Sequence, residues 1–300
     1  MAGIGGKLAV PAEPESRRPG TYHVAVNVAL LGTGKMGAAV ARRLAGAGFV
    51  PILWNRTAER ARAVGVGTVA ATAADAASGA DVVLSSLYDA ASVREVYAGL
   101  RPRSGQLLVE MSTAGPDVLD EIAGPIAAAG AELLAAPIVG STPAIEQGTA
   151  LILVGGDAAA FERVRPVLGA FGQPEAAGTR ADVAKLKLLN NAMLHVCGLA
   201  AAELMAAARR ADVDPNAALR LLSRLMPYLQ ARKRGYLERS HDNPTFQLSG
   251  AIKDQSLALE LGRAHGAAMP LLGLSRELYA LAEPEHGAKE LTAVIEAYPQ

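Results

Sequence analysis

Gly32-Thr33-Gly34-Lys35-Met36-Gly37 decides the fold of this chain. An apolar run precedes it (Val26, Val28, Ala29, Leu30, Leu31), and a helix-prone run from Ala38 to Ala47 follows. This is the strand, glycine turn and helix order that a dinucleotide pyrophosphate requires. Gly32 permits the tight turn, Gly34 lets backbone approach the phosphates, and Gly37 lets helix and strand pack closely. The helix N-terminus then faces the negative charge.

Working outward, short β-like runs alternate with Ala-rich helical stretches up to about residue 180. Val26–Leu31, Val50–Trp54, Val82–Ser86, Leu107–Glu110, Glu132–Ala135 and Ala150–Val154 read as strands. Such alternation predicts a doubly wound, mostly parallel sheet covered on both faces. Beyond residue 181 the β signal disappears. Ala181 to Arg210 reads as one long helix, and Asp214-Pro215 starts another, with Asp214 as N-cap and Pro215 at the first helical position. The expected layout is a mobile tail over 1–20, a Rossmann domain over 21–181, and an all-helical substrate and dimerisation domain over 182–300. The long helix joins the two domains. Ligands in such sheets lie beyond the carboxyl ends of the strands, so a substrate would meet the cofactor in the cleft between domains.

Composition narrows the function classes. The 300 residues are 51% hydrophobic and 4% aromatic, so Ala, Val and Leu must build the core, and formal net charge is zero. That balance gives no footprint for nucleic acid or an anionic membrane. No apolar segment reads as the ~18 residues of a transmembrane helix. Cys197 is the single cysteine. It excludes an intramolecular disulfide and reads as a buried thiol in a reducing compartment, with the cytoplasm as default location. No His/Cys/Asp spacing suggests a metal site.

The second strand ends Leu53-Trp54-Asn55-Arg56-Thr57. NAD-binding domains usually place an acid there to bond the ribose 2′-hydroxyl. Arg56, flanked by Asn55 and Thr57, suits a 2′-phosphate instead, so NADP is the expected cofactor. Asn55 and Thr57 can also cap the next helix, and the two roles are compatible.

At the start of the long helix, Lys187 and Asn191 are four residues apart and share a face, which His195 continues one turn later. Projecting into the cleft, Lys187 can donate a proton to a carbonyl oxygen as hydride arrives, and Asn191 can hold the amine or the substrate. Partial desolvation would lower the Lys187 pKa toward neutrality. His195 reads more simply as a packed histidine.

Together these segments resemble the β-hydroxyacid dehydrogenase family, which includes 3-hydroxyisobutyrate dehydrogenase and glyoxylate/succinic semialdehyde reductase. Gly32 to Gly37 resembles its cofactor loop, and Asn55-Arg56-Thr57 its NADP-preferring form. Glu110-Met111-Ser112-Thr113 with Pro116 resembles its acid-x-Ser-Thr segment. Pro137-Ile138-Val139-Gly140-Ser141, Gly148-Thr149 and Val154-Gly155-Gly156 resemble its substrate loop and following strand. Gly178 through Lys187 to Asn191 resembles the catalytic Lys segment, and Phe246 with Lys253-Asp254 the segment that closes over the nicotinamide. The resemblance implies reversible hydride transfer between a nicotinamide and a small hydroxy acid or its carbonyl form. Lys187 would be the general acid/base and Asn191 would orient it. Cofactor contacts would come from Gly32, Gly34, Lys35, Met36, Gly37, Asn55, Arg56, Thr57, Ser86, Leu87, Thr113 and Lys253. Ser112, Val139, Gly140, Ser141, Phe246 and Asp254 would line the substrate, and the resemblance implies a homodimer.

The sequence departs from that pattern in places. Val139 stands where a Ser would bond the substrate carboxylate, and Val cannot. Ala181 and Val183 replace expected glycines, and Glu290 replaces a frequent Asp. Trp54 to Thr57 and Tyr88-Asp89-Ala90 also resemble segments of imine reductases, which share the two-domain layout. Reduction of a C=N bond is therefore the alternative activity, although Tyr88-Asp89 can equally be a loop contact to the cofactor ribose. A non-catalytic, nucleotide-binding interaction module is the third reading, and Lys187 argues against it.

Overall fold

The computed structural model describes residues 26–298, so the tail expected over 1–20 lies outside the described residues. Six parallel strands form the main sheet: β1 (Val28–Leu31), β2 (Ile52–Trp54), β3 (Thr68–Val69), β4 (Val82–Ser85), β5 (Leu107–Glu110) and β6 (Glu132–Ala135). Their spatial order is β3-β2-β1-β4-β5-β6. The order reverses between β1 and β4, so a crevice opens at the carboxyl ends of these two strands. The crossovers are helices α1 (Lys35–Gly46), α2 (Ala58–Arg62), α3 (Ala73–Ser78), α4 (Ala90–Gly99) and α5 (Pro116–Ala128).

Side-chain alternation assigns the two faces. Val28 and Leu30 bury with Val40 and Leu44 of α1 on one face. Ala29 and Leu31 bury with Val93 of α4 and Val118 of α5 on the other. Period-two burial on both faces is what a parallel sheet covered on each side demands.

Three further strands make a small second sheet: β7 (Ile138–Val139), β8 (Leu151–Val154) and β9 (Gln173–Ala176). Helices α6 (Thr142–Glu146) and α7 (Ala158–Gly169) intervene. This corrects the expectation that Ala150–Val154 extends the parallel sheet. β8 lies in the second sheet, antiparallel to β7 and parallel to β9, and an Ala135–Gly155 bridge just beyond its end joins it to β6. β6 runs on through Pro137 into β7, since Ala135–Gly155, Ile138–Ile152 and Val139–Leu151 keep one antiparallel register, and the chain turns back after β7, through Gly140 and α6, to bring β8 alongside. Sequence reading missed β3, β7 and β9. The first two are two residues long, and β9 carries Pro174, which a strand accepts at a sheet edge.

The remainder is helical: α8 (Arg180–Arg210), α9 (Pro215–Leu225), α10 (Lys233–Glu238), α11 (Leu248–Ala264) and α12 (Pro270–His286), with 3-10 turns at Pro227–Arg232 and Leu291–Ala297. α8 opens with a reciprocal capping box between Thr179 and Asp182. Asp214 caps α9 as expected, accepting from Asn216 N at 3.0 Å and Ala217 N at 3.2 Å. The 31-residue α8 belongs to both cores. Val183 and Ala184 bury with the sheet, whereas Leu199, Ala202 and Met205 bury with Tyr236, Tyr279 and Ile295. By length and mean hydropathy α8 is apolar enough to cross a membrane, contrary to the sequence expectation, but half of its most apolar window is buried inside this fold. Cys197 is partly rather than fully buried.

Candidate active site

The glycine loop leaves β1 and enters α1 under tight steric control. Gly32 has φ +97°, and a Cβ there would lie 2.2 Å from the Ser86 carbonyl oxygen. A Cβ on Gly37 would lie 2.0 Å from the Gly32 oxygen. Neither position admits a side chain. At Gly34 a Cβ would meet nothing within 4 Å, so the glycine keeps open space in front of the helix end. Gly34 is also the N-cap of α1, with no side-chain cap and no acid in the first turn. The buried Thr33 hydroxyl lacks a partner among the described residues. Unpaired N–H groups, an unfilled cradle and an orphaned hydroxyl fit a dinucleotide pyrophosphate. Met36, half-buried on α1, receives a contact from Thr142 Oγ1 to its sulfur at 3.7 Å.

Asn55 ties the end of β2 to this loop. Its Oδ1 accepts from Thr33 N at 3.0 Å, and its Nδ2 donates to the Thr57 carbonyl at 3.0 Å. Thr57 is the N-cap of α2 but makes no side-chain capping bond. Arg56 is exposed and makes no hydrogen bond to another described residue. Its charge reaches Asp89, whose pKa falls chiefly through its bond with Ser92. Asp89 caps α4 by accepting from Ser92 N at 2.8 Å, which occupies one of its oxygens. The exposed Tyr88 places its hydroxyl 3.2 Å from Ser249 Oγ on α11.

Where β4 and β5 end, a buried network fixes the next two loops. Glu110 is 1% exposed. Its Oε2 accepts from Ser85 Oγ at 2.5 Å, and its Oε1 accepts from Ser112 N at 2.6 Å. Tyr97 OH lies 2.8 Å from the same Ser85 hydroxyl. Ser112 Oγ in turn accepts from Leu87 N at 2.7 Å. Burial pushes the Glu110 carboxyl above its usual range despite these bonds. Ser112 is thus engaged by a carboxylate and a backbone amide, so its first task is to hold the segment from Ser86 and Leu87 against the Ser112-Thr113 segment. The sequence marked Glu110 only as part of a motif, and the network had no signal of its own.

Lys187, Asn191 and His195 share one buried face of α8, at 9%, 2% and 0% exposure. Lys187 Nζ donates to the Ile138 carbonyl at 2.7 Å. Burial is the main influence on it and lowers its pKa to about 8, with Asp254 opposing and Lys253 assisting. Asn191 does not bond the lysine. Its Nδ2 donates instead to Asp254 Oδ2 at 2.6 Å. Asp254 Oδ1 accepts from Lys253 Nζ at 2.7 Å, and Lys253 also donates to the Thr113 carbonyl at 2.9 Å. Burial would raise Asp254, but the facing His195 and the Lys253 ammonium outweigh it and hold the carboxyl down to about 2. His195 Nε2 stands 3.8 Å from Asp254 Oδ2, beyond hydrogen-bond reach. Burial lowers the His195 pKa against the opposing influence of Asp254, and both ring nitrogens lack hydrogen-bond partners among the described residues. The packed-histidine reading therefore holds for its carbon face, which meets the Phe246 ring at 5.3 Å.

A cavity opens beside the lysine, lined by Glu110, Ser112, Thr113, Ala114, Gly115, Leu119, Ala135, Pro137, Ala184 and Lys187. Val139, Gly140 and Ser141 run from β7 toward α6. Val139 is half-buried and Gly140 exposed, and Ser141 is the N-cap of α6 without a side-chain capping bond. The structure thus brings Lys187, Asn191, Asp254, Lys253 and Thr113 together. Arg56, Val139 and Ser141 make no side-chain hydrogen bond to that group. Among the described residues no cluster of three His, Cys, Asp or Glu could hold a metal.

Comparison with known proteins agrees with this geometry. A family model described as the NAD binding domain of 6-phosphogluconate dehydrogenase matches residues 27–186. A second, described as the NAD-binding of NADP-dependent 3-hydroxyisobutyrate dehydrogenase, matches 182–298. A 3-hydroxyisobutyrate dehydrogenase of Pseudomonas aeruginosa is 30% identical over 301 aligned positions, covering 91% of this chain and 98% of that protein. The solved Mycobacterium tuberculosis 3-hydroxyisobutyrate dehydrogenase with L-serine superposes with TM-score 0.73 at 26% identity, over 90% of this chain and 98% of that one. An Aspergillus terreus reductive aminase bound to NADPH4, cyclohexanone and allyl amine shares the fold, with TM-score 0.60 at 23% identity over 92% of this chain and 100% of that one.

Proposed function

This chain belongs to the β-hydroxyacid dehydrogenase family of nicotinamide-dependent oxidoreductases, and from that premise we propose that it transfers hydride between NADP(H) and a small β-hydroxy acid or its aldehyde or keto form. The observation that carries the reading is the Lys187 ammonium. It is nearly closed off from water, faces the cavity that Ser112 and Thr113 also line, and has its pKa lowered to about 8. A proton donor works best when its pKa lies near the working pH.

Reduced nicotinamide, when bound, supplies the hydride to the substrate carbon. The chain's own residues handle the proton and the orientation. Lys187 gives a proton to the carbonyl oxygen, or takes it from the hydroxyl in the reverse direction, and the Ile138 carbonyl aims its Nζ. Asn191 and Lys253 hold Asp254, whose negative charge supports the ammonium against burial. Ala114, Leu119, Ala135, Pro137 and Ala184 keep water from the reacting atoms.

Arg56 supports NADP over NAD: it is exposed just past the end of β2, the chain places Asn55 and Thr57 rather than an acid on either side of it, and it makes no hydrogen bond among the described residues. The reading extends to a homodimer. Leu186, Leu189 and Met193 on α8, with Leu271, Leu274 and Leu281 on α12, expose apolar side chains at helical spacing. The free Cys197 suits a reducing compartment such as the cytoplasm.

Imine reduction keeps one specific support, the Tyr88 hydroxyl held beside Ser249 on the opposite side of the cleft. Consumption of NADPH and of NADH is to be followed with glyoxylate, succinic semialdehyde and related aldehyde acids on one side and cyclic imines on the other. Turnover of the acids with NADPH is the expected result. Turnover of imines alone would move the chain to C=N reduction and leave Lys187 without its role. Tight NADPH binding with no turnover of either group would support the interaction-module reading.

A further inference from the structure

Pro244-Thr245-Phe246 belongs to no helix, yet its backbone is held from both sides. Glu290 Oε2 accepts from Thr245 N at 2.6 Å, from Thr245 Oγ1 at 2.9 Å and from Phe246 N at 3.2 Å. Its other oxygen accepts from Arg232 Nη1 and, at 3.2 Å, from Leu291 N. Leu291 N also donates to the Phe246 carbonyl at 2.9 Å. From the opposite side, Lys35 Nζ at the start of α1 donates to the Pro244 carbonyl. The segment is thereby fixed to the helical half by a carboxylate and touches the glycine loop of the sheet half.

The Glu290 and Arg232 side chains are only 12% and 10% exposed. Desolvating such a pair is expensive, and apolar packing would close this surface at less cost. What the carboxylate achieves is direction, because its bonds concentrate on the two amides that set where Phe246 points. The ring lands against His195, on the same helix face as Lys187 and Asn191. Space for it is kept by Gly250 on α11, where a Cβ would lie 3.3 Å from Phe246 Cε1.

We propose that Glu290 is a positioning residue for the hydride-transfer reaction: through the backbone of Thr245 and Phe246 it sets the Phe246 ring over the cleft. The inference rests on the oxidoreductase reading above and adds a residue outside the cavity. Its reach matters as well as its charge, since an Asp at this position would fall one methylene short of the two amides.

The test uses the full chain with Glu290→Gln, Glu290→Asp and Gly250→Ala, each read four ways: amide exchange at Thr245 and Phe246, NADPH affinity with the fluorescence of bound NADPH, kcat and KM, and thermal midpoint. Glu290→Gln keeps the shape but loses half of the acceptor capacity. It is expected to raise exchange at the two amides about tenfold and to lower kcat by about 10²-fold, the scale of an ångström of misplacement. NADPH affinity should change less than about threefold, or about 0.6 kcal/mol. Glu290→Asp should recover part of the loss. Gly250→Ala presses on the ring while leaving the Glu290 bonds intact, so it should lower kcat without lowering the thermal midpoint. It carries the test if Glu290→Gln does not fold.

Unchanged exchange in folded Glu290→Gln would overturn the proposal. So would faster exchange with kcat and bound-NADPH fluorescence both unchanged, because Glu290 would then serve stability alone. A wild-type chain that turns over no carbonyl or imine would sink the oxidoreductase reading, and exchange with bound-NADPH fluorescence would still decide the role of Glu290.

Discussion

The glycine loop and the wall around Lys187 are built differently. The loop offers backbone: a positive φ at Gly32, an uncapped helix end at Gly34, and a close approach at Gly37. These features fall within six consecutive residues. The wall around Lys187 offers side chains drawn from far apart. Lys187 reaches Ile138 across 49 residues, Asn191 reaches Asp254 across 63, and Lys253 reaches Thr113 across 140. A backbone site tolerates almost any side chain that avoids the clashes. A side-chain site depends on every member being present, because each buried charge is compensated by a named partner.

If the two walls do separate tasks, Lys187→Ala should have the largest effect and the narrowest one. Turnover should fall by about 10²–10⁴-fold, the usual contribution of a proton donor, with NADPH affinity nearly intact by fluorescence titration. Equal losses in both would erase the distinction between walls. The pH profile sharpens it further. Reduction needs the ammonium, so kcat should be level below pH 8 and fall as pH rises through the Lys187 value of about 8. Oxidation needs the free amine and should rise over the same interval. Linkage has a definite sign here: the folded state binds the Lys187 proton less tightly than the unfolded chain. Its contribution to stability therefore grows as pH climbs from about 8 toward 10.5.

Two glycines on the loop test the backbone wall. Gly32→Ala forces a side chain into a positive φ and onto the Ser86 carbonyl, so thermal midpoint and NADPH affinity should drop together. Gly34→Ala meets open space, so the midpoint should hold within about 2 °C while NADPH affinity falls. If Gly34→Ala binds NADPH normally, the phosphates do not sit there. Arg56→Ala should weaken NADPH by roughly 10–100-fold, on the scale of one charge-assisted bond, and leave NADH unchanged. Equal weakening would remove the 2′-phosphate assignment. The smallest expected change is a gain. Val139→Ser should raise kcat/KM for short aldehyde acids by up to about tenfold, the worth of one ordinary hydrogen bond. No gain would mean that the acid group is read elsewhere on this wall or is absent from the substrate.

This contrast also explains what the sequence could reveal. The loop was legible from Gly32 to Gly37 because all of its physics is local. The shared face of Lys187, Asn191 and His195 was legible because helix periodicity is local too. The partner of Asn191 was not, since only the packing of α11 against α8 brings Asp254 to it. The carbonyl of Ile138 carries no signal at all, because every residue has a carbonyl. The Glu290 bonds to Thr245 and Phe246 span 45 and 44 residues and were invisible for the same reason. Among the strands, β8 was found, but its sheet was not, because membership depends on where the chain turns back after β7 rather than on the composition of Leu151–Val154.

The place of Lys187 along α8 has one more implication. Val183 and Ala184 are embedded in the sheet's core, whereas Leu188 and Ala192 pack with Ala258 and Leu272 of the helical half. The ammonium therefore hangs from the fulcrum of a lever. Any displacement of one half against the other would grow with distance from that pivot, which places Lys187 nearest its fixed point.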